Sequence, residues 1–503
     1  MVKGKRQKAK RKRQNCWRQL PACPGTVWHG ACLSAYLTIC LLFVVPLYAQ
    51  TANQMMTISA NGKYLWNSIT GKPVFITGDS PQVIEQISNE SLETYLADRA
   101  ARGFNALWIL LIDNLDQTNE PANDYGNVPF DGADFTNEDS SYWAWIDHVV
   151  QRAQAYGMVA FMNVAFVGTP QFGADYYYTS ILDSSSATLT AYGTFLGNRY
   201  KSYPNIVWLL GGDAPPKTAS MYTQIDYIGA GIAAADPNHL ITLEGCRECT
   251  GVVTAGQQST LEAYAVASLS VPSWMGLNWA YAKDPNVISE CQAAYTATSG
   301  GAIPPLMGED TYELDSTVTS TQVRIEGYWE VLSGCYLGRL FGNDAIWTFN
   351  AANDGYTTPT WQSQLSSVAS VAQEYMGKLF RTREHWLLAP DTSHAVLTGG
   401  YGSGSTISVA ACTSDGQSCI IYDPIGSSQA PQVNMGHFSG TVQAWWYNPQ
   451  TAAATSLGTF SNSGTQTFTP SDGNDWVLVL DLASAGLGAP GLEPPGSLYG
   501  AAH

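Results

Sequence analysis

Two acidic residues stand directly after apolar runs that are typical of buried β-strands. Asp213 follows the run 205–210 across two glycines, and Glu309 follows the run 305–308. Two carboxylic acids that face one glycosidic bond can hydrolyse it, because one protonates the leaving oxygen while the other attacks the anomeric carbon or activates water. We therefore take Asp213 and Glu309 as candidate catalytic residues for this chemistry.

Other carboxylates occupy comparable positions, so the ends of the apolar runs do not by themselves select this pair. The rivals are Asp79, Asp113, Glu244, Asp310 and Glu313. The two glycines before Asp213 favour a tight turn that brings backbone close to a ligand, because glycine adopts conformations that other residues avoid. Amide and aromatic side chains such as Asn278 and Tyr281 also follow the apolar runs. This mixture of carboxylates, amides and aromatic rings suits a sugar ligand.

Metal and nucleotide chemistry receive little support from the sequence. Six histidines follow residue 50, and no two of them have the four-residue spacing of a zinc-protease helix. No Gly-Lys pair is followed by Ser or Thr, so a Walker A phosphate loop is absent. We expect neither a metal ion nor another cofactor.

The apolar runs that precede these residues alternate with amphipathic, helix-type stretches. The eight strand-type runs are 73–78, 104–111, 158–164, 205–210, 239–243, 274–278, 305–308 and 345–349. The clearest helical stretches are 89–102, 141–156, 187–203 and 320–336. Near-continuous apolar strands that alternate with helices are typical of a parallel sheet buried on both faces. Eight such units predict an α/β fold of the (β/α)8 TIM-barrel type, whose active site lies at the carboxyl ends of the strands.

The pattern changes after residue 390. Residues 57–390 form the predicted barrel, whereas 391–482 contain short alternating strands with turn residues between them and no helical period, which predicts a small all-β sandwich. Residues 483–503 are rich in Ala, Gly and Pro and are expected to form a flexible tail.

The N-terminal segment has the composition of an export signal. The chain carries 24 basic and 41 acidic residues, and nine of the basic ones lie within residues 1–50, which contain no acidic residue. An apolar run of about 14 residues and a small residue at Ala49 follow the basic segment, as in a signal peptide. We expect residues 1–49 to be a leader and the protein to be secreted or periplasmic. An uncleaved anchor is the alternative, although Pro46 interrupts the run and it is shorter than a full span.

Removal of the leader would leave 15 basic against 41 acidic residues, a net charge of −26. Such a surface repels phosphate backbones, so we expect no nucleic-acid partner. It would also leave six cysteines, an even number that suggests disulfides in an oxidising compartment. Cys412 and Cys419 flank a turn and could close a hairpin. Cys246 and Cys249 could bridge each other or pair with Cys291 and Cys335.

Several ordered motifs resemble the apiosidase-like glycoside hydrolases, in which the barrel is often followed by a domain labelled "putative collagen-binding". The matching segments lie at 58–65, 71–79, 95–105, 142–147, 204–213 and 308–313, with 447–451 and 473–476 in the second domain. The resemblance covers about residues 57–482.

This resemblance implies a retaining glycosidase that acts on plant-type, pectic polysaccharide. It assigns Asp213 as the general acid/base and Glu309 as the nucleophile. Glu313 also matches the family pattern, and it could instead be the nucleophile or a substrate ligand. Other subsite candidates are Asp79, Asn278, Tyr281 and Trp347. The competing interpretation is a carbohydrate- or matrix-binding protein that keeps the barrel only as a scaffold, since fold alone does not determine function.

Overall fold

The computed structural model describes residues 53–116, 119–168, 170, 175–214, 219–245, 257–298, 303–315, 317–350 and 359–493. A small antiparallel sheet comes first, formed by β1 (Thr57–Ile58), β2 (Leu65–Asn67) and β3 (Lys72–Pro73). The predicted leader and the predicted pairing of Cys246 and Cys249 lie outside the described residues.

Eight parallel strands form the barrel that the sequence predicts. They are β4 (Ile76–Asp79), β5 (Ala106–Leu110), β6 (Val159–Asn163), β7 (Ile206–Ala214), β8 (Ile241–Gly245), β10 (Asn278–Ala282), β11 (Pro305–Glu309) and β12 (Gly338–Phe341). Neighbouring strands pair in parallel from β8 through β4 to β10, and a parallel bridge between Ile241 and Met275 links the two ends of this sheet. The short strand β9 (Gln257–Ser259) pairs antiparallel with β10.

Helices lie between the barrel strands and after the last of them. They are α1 (Asn89–Ala101), α2 (Ser140–Ala155), α3 (Tyr178–Asp183), α4 (Ser186–Tyr200), α5 (Ala219–Ala235), α6 (Thr260–Val266), α7 (Val287–Thr298), α8 (Ser320–Ser333), α9 (Asp344–Trp347), α10 (Trp361–Gln364) and α11 (Val368–Arg381). The side chain of Ser88 caps α1 by accepting the Ser91 N–H. Among the described helices, none is both long and apolar enough to cross a membrane.

Two of the eight predicted strands were misplaced. The sixth begins at Asn278, where the prediction ended, and the preceding Met275 contributes only the bridge to Ile241. The eighth is β12, and the predicted run 345–349 instead falls on α9, because the Asn343 side chain accepts the Ala345 N–H and starts a helix there. The apolar pattern did not indicate β12 because the strand contains the charged Arg339. Acidic partners on other elements neutralise that charge in the folded protein.

The C-terminal part is all-β, as predicted. One antiparallel sheet has the order β13 (Leu388–Pro390), β15 (Val409–Thr413), β16 (Ser418–Asp423), β21 (Trp476–Leu482), β18 (Val442–Tyr447) and β19 (Ala454–Phe460). A second sheet contains β14 (Leu397–Gly399), β17 (Gln432–Asn434) and β20 (Thr465–Thr467). Their facing side chains form a core of their own, which includes Val433, Trp446 and Leu478.

Buried contacts join the sandwich to the barrel. Arg324 of α8 binds Asp475 through two hydrogen bonds of 2.7 and 2.9 Å, and Arg383 binds Asp481 through two of 2.9 and 2.7 Å. All four side chains are at most 4 % exposed. Polar groups of this kind are buried only when they are paired, so the barrel and the sandwich complete each other's interior.

Two disulfides lie within the described residues. Cys412 and Cys419 are directly opposite each other on β15 and β16, which confirms the predicted hairpin bridge. Cys291 of α7 is bonded to Cys335, which follows α8. The alternative in which Cys291 and Cys335 pair with Cys246 and Cys249 is therefore wrong.

Candidate active site

Asp213 lies on a backbone segment of rare conformation at the end of β7. Gly211, Gly212 and Asp213 all have positive φ, of +83°, +100° and +48°. A Cβ atom on Gly211 would lie 2.2 Å from the carbonyl oxygen of Glu244, and one on Gly212 would lie 2.4 Å from the ring of Phe166. Only glycine fits these two positions. The tight turn that the glycine pair predicts is present, and it leaves Asp213 half-buried at the strand end.

Glu309 ends β11 on the same face of the barrel. It is half-buried, and it pairs in register with Tyr281 of β10. The residue before it is Gly308, where a Cβ atom would lie 1.9 Å from the indole of Trp279. Trp279 is fully buried and packs edge-on against Trp108 at 5.4 Å between ring centroids. These rings fill the barrel interior below the end where the strands' carboxyl termini lie, which we call the mouth. Glu309 and Tyr281 therefore lie directly above a closely packed layer of side chains.

Glu244 ends β8 and lies between the two candidate catalytic residues. Its side chain is fully buried, and its Oε1 accepts the Asp213 backbone N–H at 3.2 Å. Its other oxygen, Oε2, is buried without a hydrogen-bond partner among the described residues, and the neighbouring Glu309 carboxyl interacts with the Glu244 carboxyl. Burial raises the pKa of Glu244 well above its ordinary value, and the nearby charges of Glu309 and Asp213 raise it further. The mouth of the barrel therefore holds three carboxyl groups rather than two.

Tyrosines complete this part of the mouth. Tyr312 accepts a hydrogen bond from Gln82 Nε2 at 2.8 Å, and its pKa is raised first by burial and then by Glu309 and Glu244. Tyr176 donates to Asp116 at 2.8 Å, and its pKa is raised by burial and by several carboxylates, among them Asp213. Both phenols keep their protons, so they serve as hydrogen-bond donors and as apolar ring faces beside the carboxyl groups.

A second group of acidic residues lies at the end of β5 and contains Glu85, Asp113, Asp116 and Glu120. Asp113 and Glu120 are joined by a side-chain hydrogen bond, which together with burial raises the pKa of Glu120 to about 11. Burial also raises the pKa of Glu85 well above its ordinary value, and Asp113 adds to this shift. Adjacent buried carboxyls cannot all ionise, so this group holds protons at neutral pH. Asp113 is engaged here and does not join the three carboxyls at the mouth.

Asp79 is not placed to bind a substrate. Its carboxylate is fully buried and forms an ion pair with Arg99 Nε at 2.6 Å. It also accepts the Tyr95 hydroxyl at 2.7 Å and the Ser80 N–H at 3.0 Å. Both oxygens are thus used inside the protein, where Asp79 fixes α1 to the end of β4.

Glu313 is equally committed to internal contacts. Its two oxygens accept hydrogen bonds from Ser320 at 2.6 Å, Asn343 at 2.9 Å, Ser367 at 2.5 Å and the Ala369 N–H at 3.3 Å. It is 3 % exposed. This placement disfavours the alternative in which Glu313 is the nucleophile or a substrate ligand, and it makes Glu313 the anchor of the loops around α8 and α11.

The remaining candidates differ in position. Asn278 is fully buried at the start of β10, not at its end, and its Oδ1 accepts the Leu261 N–H at 3.1 Å. It therefore lies below the mouth. Trp347 is half-buried at the end of α9, in the segment that follows β12. Asp310 is fully buried and forms an ion pair with Arg339, which ties β11 to β12 directly behind Glu309.

Potential metal ligands come close together at one place among the described residues. The one group with ligand atoms close together is Cys412, Cys419 and His437. The two cysteines are bonded to each other, so they offer no thiolate to a metal. These three residues therefore do not form a metal site.

Sequence reasoning missed several residues at the mouth. Tyr176 and Glu120 come from segments that follow strands rather than from the strand ends themselves, and Gln82 and Glu85 lie on a short turn after β4. No periodicity marks them. Among the rival carboxylates, Glu244 is the one that joins the mouth, and its position directly after the predicted run 239–243 was the sequence signal for it.

Comparison with known proteins agrees with this architecture. A family model described as "Apiosidase-like, catalytic domain" matches residues 59–387, and one described as "Putative collagen-binding domain of a collagenase" matches 394–481. No curated protein matches the chain. A solved structure described as a glycoside hydrolase is 22 % identical with a TM-score of 0.71, over 86 % of this chain and 99 % of its own. A glycoside hydrolase family 5 structure from Bacteroides vulgatus ATCC 8482 is 21 % identical with a TM-score of 0.70, over 85 % of this chain and 94 % of its own. These two structures share the fold. Because the apiosidase-like model covers more than half of the chain, the protein belongs to this family of glycoside hydrolases.

Proposed function

We propose that the protein hydrolyses glycosidic bonds with retention of anomeric configuration, with Asp213 as the general acid/base and Glu309 as the nucleophile. The observation that carries the proposal is the meeting of both residues at Glu244. The Asp213 backbone and the Glu309 carboxyl contact the same buried side chain, so the two acids share one small region of the mouth. Retention is proposed on the family resemblance, and it requires a carboxyl separation of about 5–5.5 Å rather than the roughly 6.5–9.5 Å of inverting enzymes.

The reaction proceeds in two displacements. In the first, Glu309 attacks the anomeric carbon while Asp213 gives its proton to the departing glycosidic oxygen, which leaves a covalent glycosyl ester on Glu309. In the second, Asp213 takes a proton from water, the water oxygen attacks the anomeric carbon, and Glu309 departs as a carboxylate. The proton balance is restored, because Asp213 ends each cycle protonated.

The substrate class that we propose is plant-type, pectic polysaccharide, or an oligosaccharide derived from it. The resemblance to apiosidase-like enzymes supports this choice, and the chemistry of the mouth supports a sugar ligand. Tyr176, Tyr281 and Tyr312 supply rings and hydroxyls beside Asp213 and Glu309, which is the combination that sugar rings require.

The test is a panel of pectic oligosaccharides and aryl glycosides, with the released anomer identified by NMR before mutarotation. We expect wild type to release a sugar of unchanged configuration. Asp213→Ala and Glu309→Gln should each reduce kcat/KM by at least about 100-fold, and azide should restore turnover of an aryl glycoside by Asp213→Ala. Inverted product would refute retention, and equal activity of all three proteins would refute the assignment.

Glu290→Gln is the matched control for these variants. Glu290 is a fully buried carboxyl group on α7 whose carboxyl partner is Glu262 rather than either proposed catalytic residue. We expect this variant to keep wild-type turnover. If no protein in the set releases sugar, a binding role for the barrel would replace the hydrolytic one.

We also propose that the protein is exported and that its leader, residues 1–49, is removed. The two disulfides support an oxidising compartment. Fractionation of expressing cells, with mass spectrometry of the mature N-terminus, tests this. The expected N-terminus lies near Gln50, and a protein retained in the cytoplasm with residues 1–49 intact would contradict the proposal.

A further inference from the structure

Glu244 occupies a position that the two-carboxylate reaction does not explain. It ends β8, next to β7, which carries Asp213. Its carboxyl is shut off from solvent, accepts the Asp213 N–H with one oxygen and contacts the Glu309 carboxyl. A side chain that touches both reacting groups without reaching solvent is placed to organise them.

The charges around Glu244 decide its protonation state. The titratable groups that face it are Glu309, Asp213, Tyr312 and Tyr222. All four are neutral or negative, so none of them stabilises a negative charge on Glu244. Two adjacent carboxyl groups, of which Glu244 is shut off from water, hold one proton between them, because both cannot ionise. Glu309 is half-buried and must be ionised to attack, which leaves the proton on the more deeply buried Glu244.

We propose that Glu244 is a positioning residue that retains its proton and donates it in a hydrogen bond to the Glu309 carboxylate, while its other oxygen accepts the Asp213 N–H. The inference rests on the proposed function. It adds a third carboxyl group to the reaction, one that touches neither the substrate nor the water.

This hydrogen bond would act in both displacements. Before attack, it favours the ionised form of Glu309 and fixes the direction of its free oxygen. During hydrolysis of the glycosyl ester, negative charge returns to Glu309 as it departs, and a fixed donor stabilises that charge. The same side chain restrains the strained backbone that carries Asp213, so one residue sets the spacing of the acid and the nucleophile.

Replacing Glu244 with glutamine is the conservative change, and replacing it with leucine removes its hydrogen-bonding groups at similar volume. The amide of Glu244→Gln can still donate an N–H to Glu309 and accept the Asp213 N–H, whereas Glu244→Leu can do neither. We expect Glu244→Gln to retain kcat/KM within about tenfold of wild type. Glu244→Leu should lose about 100- to 1,000-fold, the usual effect of removing one donor to a reacting oxygen.

The pH profile separates this role from a merely structural one. We expect the acid limb of kcat/KM to move to higher pH in Glu244→Leu, because ionised Glu309 loses its donor, and to stay near the wild-type position in Glu244→Gln. A loss in Glu244→Gln equal to that in Glu244→Leu would overturn the proposal, because it would mean that Glu244 acts as a negative charge.

Infrared difference spectroscopy gives a readout that needs neither substrate nor turnover. At neutral pH, wild type minus Glu244→Gln should show the carbonyl band of a protonated carboxylic acid, with wild type minus Glu290→Gln as the reference for another buried acid. Absence of the Glu244 band, with a carboxylate band in its place, overturns the inference even if hydrolysis is confirmed. Failure of the proposed function would appear separately, as wild-type activity in Glu309→Gln. If Glu244→Leu does not fold, Glu244→Gln and the infrared band still decide.

Discussion

Gly212 is the residue at which the geometry of the proposed acid can be perturbed without changing any reacting group. Its φ is +100°, and a Cβ atom there would lie 2.4 Å from the ring of Phe166. The substitution Gly212→Ala therefore has two separate costs. A left-handed backbone costs a non-glycine residue about 1–2 kcal/mol, and overpacking against a buried ring costs about 1–3 kcal/mol. The expected loss of unfolding free energy is about 2–5 kcal/mol.

The effect on activity follows from the position of Gly212 directly before Asp213. The ring of Phe166 is 7 % exposed, so the backbone has to move if the ring cannot. A displacement of a catalytic group by about 1 Å costs on the order of 100-fold in rate. We therefore expect kcat/KM of Gly212→Ala to fall by about that factor, with kcat more affected than KM.

Gly416→Ala is the matched control. Gly416 has a similar positive φ of +73°, and a Cβ atom there meets nothing within 4 Å. It lies in the turn between β15 and β16, so only the backbone cost of about 1–2 kcal/mol applies. Both variants are compared with wild type by urea unfolding and by kcat/KM on one substrate. If Gly212→Ala loses no more stability than Gly416→Ala and keeps its activity, the account of the β7 terminus is wrong.

Two further predictions concern the stability of the fold. Arg324→Ala should lower the free energy of unfolding by about 3–5 kcal/mol, because it leaves Asp475 as a buried charge without its partner. Arg152→Ala removes a similar two-bond pair with Glu93, which is roughly one-third exposed, and should lower it by at most about 1 kcal/mol. Equal losses in urea unfolding would contradict this difference. Burial lowers the pKa of His385 from 6.5 to about 3, so the folded protein keeps this ring neutral while the unfolded chain protonates it. The contribution of His385 to the free energy of unfolding therefore decreases as pH falls below 6.5, by up to about 1.4 kcal/mol per pH unit down to about pH 3. His385→Gln should remove this pH dependence, which is measured by comparing its unfolding with that of wild type from pH 7 to pH 4.5.

Local patterns were sufficient to predict most of the barrel from the sequence. Apolar runs located six of the eight strands. The eighth strand was missed because Arg339 is neutralised by Asp310, which follows another strand, and by Glu330 of α8, and only the folded chain brings these groups together. A pattern within one window cannot show that a charge has a distant partner.

The same limit applies to the site. Asp213, Glu309 and Tyr281 follow from the rule that barrel chemistry lies at strand ends, and the structure places all three at the mouth. Asp79 and Glu313 obey the same rule, yet each is buried in internal hydrogen bonds. Their partners come from α1 and from the segments around α8 and α11, so only the assembled fold distinguishes an available carboxylate from an engaged one.

The two buried ion pairs between the barrel and the sandwich also constrain how the protein is made. Arg324 precedes Asp475 by 151 residues, and Arg383 precedes Asp481 by 98. A ribosome therefore delivers both arginines long before it delivers the carboxylates that neutralise them. Domains usually fold in order of their emergence, but α8 and the segment after α11 gain these ion-pair partners only once Asp475 and Asp481 have been synthesised. The barrel therefore completes these two ion pairs only after the sandwich that follows it has been synthesised.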